Sequence, residues 1–194
     1  MAIAINQNIK INLTGISSSL KNLSLTDNQS VSFIWADLQN LETINLSGIL
    51  LETGVNDDLD FTSFTNLRNL SLSLTGVNSM NYNALVGLEV VYLSGDFPTI
   101  SSVSLWPQIK EISTKDITIS NLTISSNLPT AYKVILRNCS LSSTAVDDIL
   151  NSLTNANGNS IEGGYINLSG NSSRTSASDA AFSELASRNW SFAF

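Results

Sequence analysis

Residues 88–96 read Leu-Glu-Val-Val-Tyr-Leu-Ser-Gly-Asp, with apolar side chains at Leu88, Val91 and Leu93. This Leu-x-x-Leu-x-Leu pattern recurs at Leu20/Leu23/Leu25, Leu41/Ile44/Leu46, Leu67/Leu70/Leu72 and Ile109/Ile112, with weaker copies at Val134/Leu136 and Ile166/Leu168. A segment so short cannot enclose its own apolar face. Self-similar copies therefore imply stacked turns, each covering the last, with one parallel strand per copy. The strands are expected to start near residues 22, 43, 69, 90, 111, 133 and 165, with Leu46, Leu93 and Leu136 buried in register.

Counted from the first position of each copy, the starts fall at 20, 41, 67, 88, 109, 131 and 163, so the spacings are 21, 26, 21, 21, 22 and 32 residues. In the third copy Leu74 competes with Leu72 for the inner position. The ninth position sits inside the turn, where a side chain must either bond to backbone groups or be small and apolar. Asn28, Cys139 and Asn171 satisfy that rule, while Ile49, Thr75, Asp96 and Ile117 depart from it.

In these copies residues 20–194 resemble leucine-rich repeat proteins, in an irregular form. The resemblance implies an α/β solenoid: a right-handed superhelix with a parallel concave sheet of about seven strands, a mixed convex side and a helical C-terminal cap. The expected organisation is one domain, with an N-terminal cap at 1–19, repeats at 20–141 and a C-terminal capping module at 142–194.

Between the strands the segments differ. The alternation of Ile3 and Ile5, then Ile9, Ile11 and Leu13, predicts a small hairpin or bent strand. Val31, Ile34, Trp35 and Leu38 fall at helical spacing, which predicts about two helical turns over 31–40, and 79–87 reads likewise. Ile117, Ile119, Leu122 and Ile124, set among Thr and Ser, favour an extended segment. In the last quarter Ser143 or Thr144 can cap a helix with Asp147 and Asp148 in its first turn and an apolar stripe of Val146, Ile149, Leu150 and Leu153, stopped by Gly158. A second helix is expected from Ser176, with Asp179 at capping-box spacing, burying Phe182, Leu185 and Ala186; Trp190, Phe192 and Phe194 then alternate as an edge strand. This run of helix, Gly-Gly-Tyr-Ile-Asn-Leu-Ser-Gly-Asn, Ser/Thr-rich loop, helix and Asn-Trp looks like the terminal module of leucine-rich repeat proteins on bacterial surfaces and in the virions of their phages.

Composition narrows the chemistry. There is no histidine and one cysteine, so neither an intramolecular disulfide nor a Cys/His zinc site can form, and Cys139 reads as a packing residue without a base to activate it. A net charge of −7 disfavours nucleic acid. No apolar run reaches the length of a membrane span, and the first ten residues lack the basic start and apolar stretch of a Sec signal peptide. The densest acidic spot, Asn56, Asp57, Asp58 and Asp60, lacks the glycine and alternating ligands of a calcium loop and reads as a solvated loop.

The outward positions of the strands carry the functional signal. The first three copies present Asn22, Ser24, Thr26, then Thr43, Asn45, Ser47, then Asn69, Ser71, Ser73, a neutral and small floor. Tyr92, Glu111, Lys115, Lys133, Arg137 and Tyr165 follow on the same face and form the candidate binding face; Lys110 adds to the basic crowding. The expectation is a non-enzymatic, cofactor-free module that binds protein or builds an assembly, as a virion decoration or receptor-binding component or at a bacterial surface. Oligomerisation is left open. The alternatives are a glycan-binding or glycan-cleaving parallel β-helix of tailspike type, which would need exposed carboxylates about 5 to 9 Å apart, and a cytoplasmic effector that binds a host protein.

Overall fold

The computed structural model describes residues 2–4, 9–12, 20–26, 31–34, 40–50, 58–61, 64–75, 79–81, 85–96, 103–105, 107–120, 122–124, 128–154 and 161–194. Strands alternate between two layers. In chain order they are β1 (Ala2–Ala4), β2 (Ile9–Asn12), β3 (Asn22–Thr26), β4 (Val31–Ile34), β5 (Thr43–Leu50), β6 (Asp58–Asp60), β7 (Asn69–Thr75), β8 (Ser79–Asn81), β9 (Val90–Asp96), β10 (Val103–Leu105), β11 (Glu111–Lys115), β12 (Leu122–Ile124) and β13 (Lys133–Arg137). Helix α1 (Ser143–Thr154), β14 (Tyr165–Asn167), a 3-10 turn (Ser176–Ser178), α2 (Asp179–Ser187) and β15 (Ser191–Ala193) complete the chain.

One nine-stranded sheet runs β1-β3-β5-β7-β9-β11-β13-β14-β15, and every pairing in it is parallel. Parallel neighbours that follow each other in the chain require a return path to the starting end of the sheet. That path carries three further parallel ladders, β2-β4, β6-β8 and β10-β12. The result is a solenoid-like arrangement with few helices, and among the described residues no helix is long and apolar enough to cross a membrane.

Register aligns the core. Leu23, Ile44, Leu70, Val91, Ile112, Val134 and Ile166 form one inward row, and Leu25, Leu46, Leu72, Leu93, Thr114 and Leu136 form the next. All thirteen are no more than 2 % exposed. Leu41, Leu67, Leu88, Ile109 and Ala131, just before the strands, are equally buried. The pairing of Leu72 with Leu93 decides the third copy's register in favour of Leu72 over Leu74.

A second periodicity follows the strands. Gly48, Gly95, Asp116, Asn138 and Gly170 all have positive φ, at 66°, 113°, 59°, 54° and 75°. Each is the sixth residue from the starts at 43, 90, 111, 133 and 165, inside β5 and β9 and past the last strand residues of β11, β13 and β14. The left-handed conformation strains most side chains but is tolerated by glycine and by Asn or Asp, which explains the residue types found there. Gly48 is also an inserted residue: Ser47 pairs with Ser73 and Ile49 with Leu74, leaving Gly48 as a bulge.

All seven expected strand starts are observed, but the sheet has nine strands rather than seven, because β1 and β15 extend it at either end. The segment expected as an N-terminal hairpin forms two strands that pair not with each other but with β3 and β4. Val31–Ile34 and Ser79–Asn81 are strands, not helical turns; Val, Ile and Phe suit an extended ladder, and its parallel partners override the helical spacing. The acidic stretch ends as strand β6, with 56 and 57 outside the described residues, as are Asn28 and Gly158.

The C-terminal stripe of Val146, Ile149, Leu150 and Leu153 is fully buried. Its cap is Ser142, whose Oγ accepts the Ala145 N–H at 3.2 Å, one residue before the expected Ser143. The second helix lacks the expected capping box. Thr175 caps the preceding 3-10 turn instead, Ser178 Oγ is turned inward to Asp147, and Asp179 pairs with Arg174 at 2.5 Å. Ala181 and Leu185 are buried, while Ala186 is exposed and Phe182 only half-buried. Phe182 instead packs at a tilt against Phe192 and Phe194, at centroid distances of 4.6 and 6.1 Å.

Candidate binding face

The residue before each strand is fixed by a repeated backbone contact. The carbonyl of Lys21 accepts the N–H groups of Glu42 (2.8 Å) and Thr43 (3.0 Å), and the carbonyls of Glu42, Arg68, Glu89 and Lys110 accept the corresponding pair from the next strand. Side chains at this position are thereby stacked in a column of alternating charge: Lys21, Glu42, Arg68, Glu89, Lys110. Lys21 meets Glu42 at 2.5 Å and Lys110 meets Glu89 at 2.6 Å. The next member is Tyr132, 39 % exposed.

Tyr132 breaks the charge column and reaches across to the open face of the sheet. Glu111 accepts hydrogen bonds from the hydroxyls of Tyr92 and Tyr132, one on each carboxylate oxygen, and from Lys133 Nζ at 3.1 Å. Register explains the meeting, since Glu111 pairs with Lys133 on β13 and with Val90 on β9, two residues before Tyr92. Lys133 Nζ also lies 5.7 Å from the centre of the Tyr92 ring, within cation-π range. The Glu111 side chain is only 16 % exposed.

The electrostatics follow. The hydrogen bonds from Tyr132 and Tyr92 hold the Glu111 carboxyl below the usual glutamate range, with Lys133 adding to them against the opposing effect of burial. Burial, then the bond and charge of Glu111, push Tyr92 up to about 12. The Tyr132 hydroxyl is raised first by its bond to Glu111.

Of the six expected site residues, Tyr92, Glu111 and Lys133 are in one cluster. Lys115 stands apart, paired with Asp116 at 3.2 Å, both about half exposed. Arg137 lies in register with Lys115. Tyr165 lies in register with Lys133 and accepts a hydrogen bond from Asn167 Nδ2 at 3.1 Å. Lys110 is tied to Glu89 and lies in the charge column. Tyr132 was missed by the sequence reading. The signal for it was the sequence of residues preceding the strands, Lys21, Glu42, Arg68, Glu89 and Lys110, in which an aromatic is the exception.

Cys139 is buried, its S–H donating to backbone carbonyls of Arg137 (3.3 Å) and Thr114 (3.6 Å), and burial pushes its thiol up to about 11. Its setting is that of a packing residue, a thiol kept protonated by burial. Among the described residues no three acidic or cysteine side chains are grouped to hold a metal ion. No family model matches the sequence, and no curated protein and no solved structure is significantly similar to it.

Proposed function

We propose that the chain is a non-enzymatic protein-binding module of the leucine-rich repeat type, serving in an assembly such as a virion or a bacterial surface. The observation that carries this reading is the Tyr92–Glu111–Tyr132–Lys133 cluster on a sheet face whose first three copies are small and neutral. Tyrosine supplies apolar contact area with a polar tip at little cost in rotamer entropy. Its hydroxyls here are fixed by a carboxylate, so less ordering remains to be done on binding. The residue types at the positions preceding and following the strands support the repeat reading, as does Asn171 at the ninth position, whose amide bonds four backbone groups.

Catalysis by Glu111 is disfavoured. A general acid of a glycosidase needs a raised pKa, and the hydrogen bonds to Glu111 act in the opposite direction. The test is site-directed photo-crosslinking in the source cells or particles, with the probe at position 132 or, as control, at position 45 on the small-polar floor. A protein adduct at 132 and none at 45 supports the reading. Adducts only at 45, or none at either position, overturn it.

A further inference from the structure

Residues 103–137 hold four cations, and three have carboxylate partners: Lys110 with Glu89, Lys133 with Glu111 and Lys115 with Asp116. Arg137 has no carboxylate within ion-pair distance among the described residues. Its Nε is shielded from solvent and has no hydrogen-bond acceptor. The other three cations of this segment are matched, so a guanidinium whose Nε has no acceptor marks a position that an anion can fill.

We propose that Arg137, with Lys115 beside it, anchors a carboxylate side chain of an extended partner segment laid across β9, β11 and β13. The proposal rests on the protein-binding reading above. Arg137 pairs in register with Lys115, so the two cationic side chains rise from adjacent strands about 4.8 Å apart. Two residues back on the same face is Ile135, in register with Ser113, which in turn pairs with Tyr92. An acidic residue at Arg137 therefore places the segment's next side chain over Ile135 and Tyr92.

A carboxylate fits better than a phosphate. Asp116 stands at the same rim, held below the usual aspartate range first by the Asn138 amide, then by Lys115 and by the charge of Arg137 beyond ion-pair distance, and it repels a dianion more than a monoanion. The adjacent Ile135 and Tyr92 offer apolar contact that a free phosphate cannot use. The chain's net charge of −7 opposes acidic partners at long range, so attraction must be local to this pair of cations.

The experiment is a 15N–1H NMR titration of the full chain with three end-blocked peptides: Glu-Phe-Glu-Phe, its Gln-Phe-Gln-Phe analogue and Lys-Phe-Lys-Phe. The Glu peptide should shift the amides of Lys115, Ile135 and Arg137 and bind about tenfold or more tightly than the Gln analogue, the difference shrinking as salt is raised. Arg137→Gln should abolish the preference for Glu over Gln, and Arg137→Lys should restore part of it. Should Arg137→Gln lower the melting temperature, Lys115→Gln is the substitute and should weaken the preference alone. Equal binding of Glu and Gln peptides, or a preference intact in both variants, overturns the anchor and leaves the binding face standing. Absence of any shift on the open face with all three peptides overturns both.

Discussion

The ninth position is filled differently along the chain, and the contrast between Ile117 and Asn171 shows two ways of closing a turn. Ile117 is fully buried among apolar neighbours after β11. Asn171, after β14, accepts the N–H groups of Cys139 (2.9 Å) and Leu141 (3.0 Å) and donates to the carbonyls of Leu136 (2.5 Å) and Leu168 (2.8 Å). Where a strand, β12, follows at the back, the next backbone bonds are supplied by its ladder. Where helix α1 follows β13 instead, the backbone leaves the ladder pattern and a side-chain amide satisfies groups that a neighbouring strand cannot reach. The same substitution of side chain for ladder recurs at Asp147. Its carboxylate, only 4 % exposed, accepts from Thr175 N–H (2.9 Å), Thr175 Oγ1 (2.6 Å) and Ser178 Oγ (2.5 Å), tying α1 to the entry of α2. Trp190 closes the end by donating Nε1–H to the Ile161 carbonyl at 2.8 Å.

The sharpest break of this contrast is expected in the apolar half. Leu93, 2 % exposed between Leu72 and Thr114, should cost about 2 to 5 kcal/mol when cut to alanine, read from urea melts. A loss below about 0.5 kcal/mol would mean that the row is not packed. Asn171→Ala should cost about 2 to 3 kcal/mol, since four backbone groups lose their partner and water can refill some of them. The two losses should differ in kind. Hydrogen exchange in the Asn171 variant should rise in the C-terminal region first, whereas Leu93→Ala should loosen the central strands. Uniform acceleration in both would remove the distinction.

Acid should leave the apolar row untouched and act on the C-terminal end through Asp147. Burial pushes the Asp147 carboxyl up, but the bonds from Ser178 and Thr175 outweigh it, so its pKa in the folded chain lies below the usual aspartate value. A depressed folded pKa contributes stability that is present above the unfolded value of about 3.9 and is lost as pH falls through the lowered one. Melting temperature should therefore decline below about pH 4, and Asp147→Asn should flatten that decline while costing stability at neutral pH. An unchanged acid limb in the variant would place the titrating group elsewhere.

The strand registers were legible because every copy repeats its apolar spacing and one face must be buried; Leu93, Leu46 and Leu136 follow from that alone. The back was not. Val31 to Ile34 fit helix and strand equally by spacing, and only the presence of Ile9–Asn12 alongside decides between them. The left-handed column of Gly, Asp and Asn was visible in the sequence as a residue type at a fixed offset, yet hydrophobicity does not mark it. On the open face the sequence marks Lys133 as part of a basic, aromatic patch but not its bond to Glu111. Its engagement depends on Tyr132 and Glu111 arriving from different copies, which no single copy displays.

The smallest expected effect tests that engagement. Glu111→Gln keeps the side chain's length and removes the charge that three donors share, and its partly exposed setting limits the loss to about 1 kcal/mol at neutral pH. The spectroscopic consequence is larger than the energetic one. Tyr92 is pushed up to about 12 first by burial and then by the bond and charge of Glu111, so removing the charge should bring its ionisation down without returning it to the ordinary value of about 10. Absorbance titration of the tyrosinate band, compared with a Tyr92→Phe chain to assign the late step, measures this. A late step unmoved by Glu111→Gln would show that burial alone holds Tyr92 protonated, and the cluster would then be a packing contact rather than a shared hydrogen-bond network.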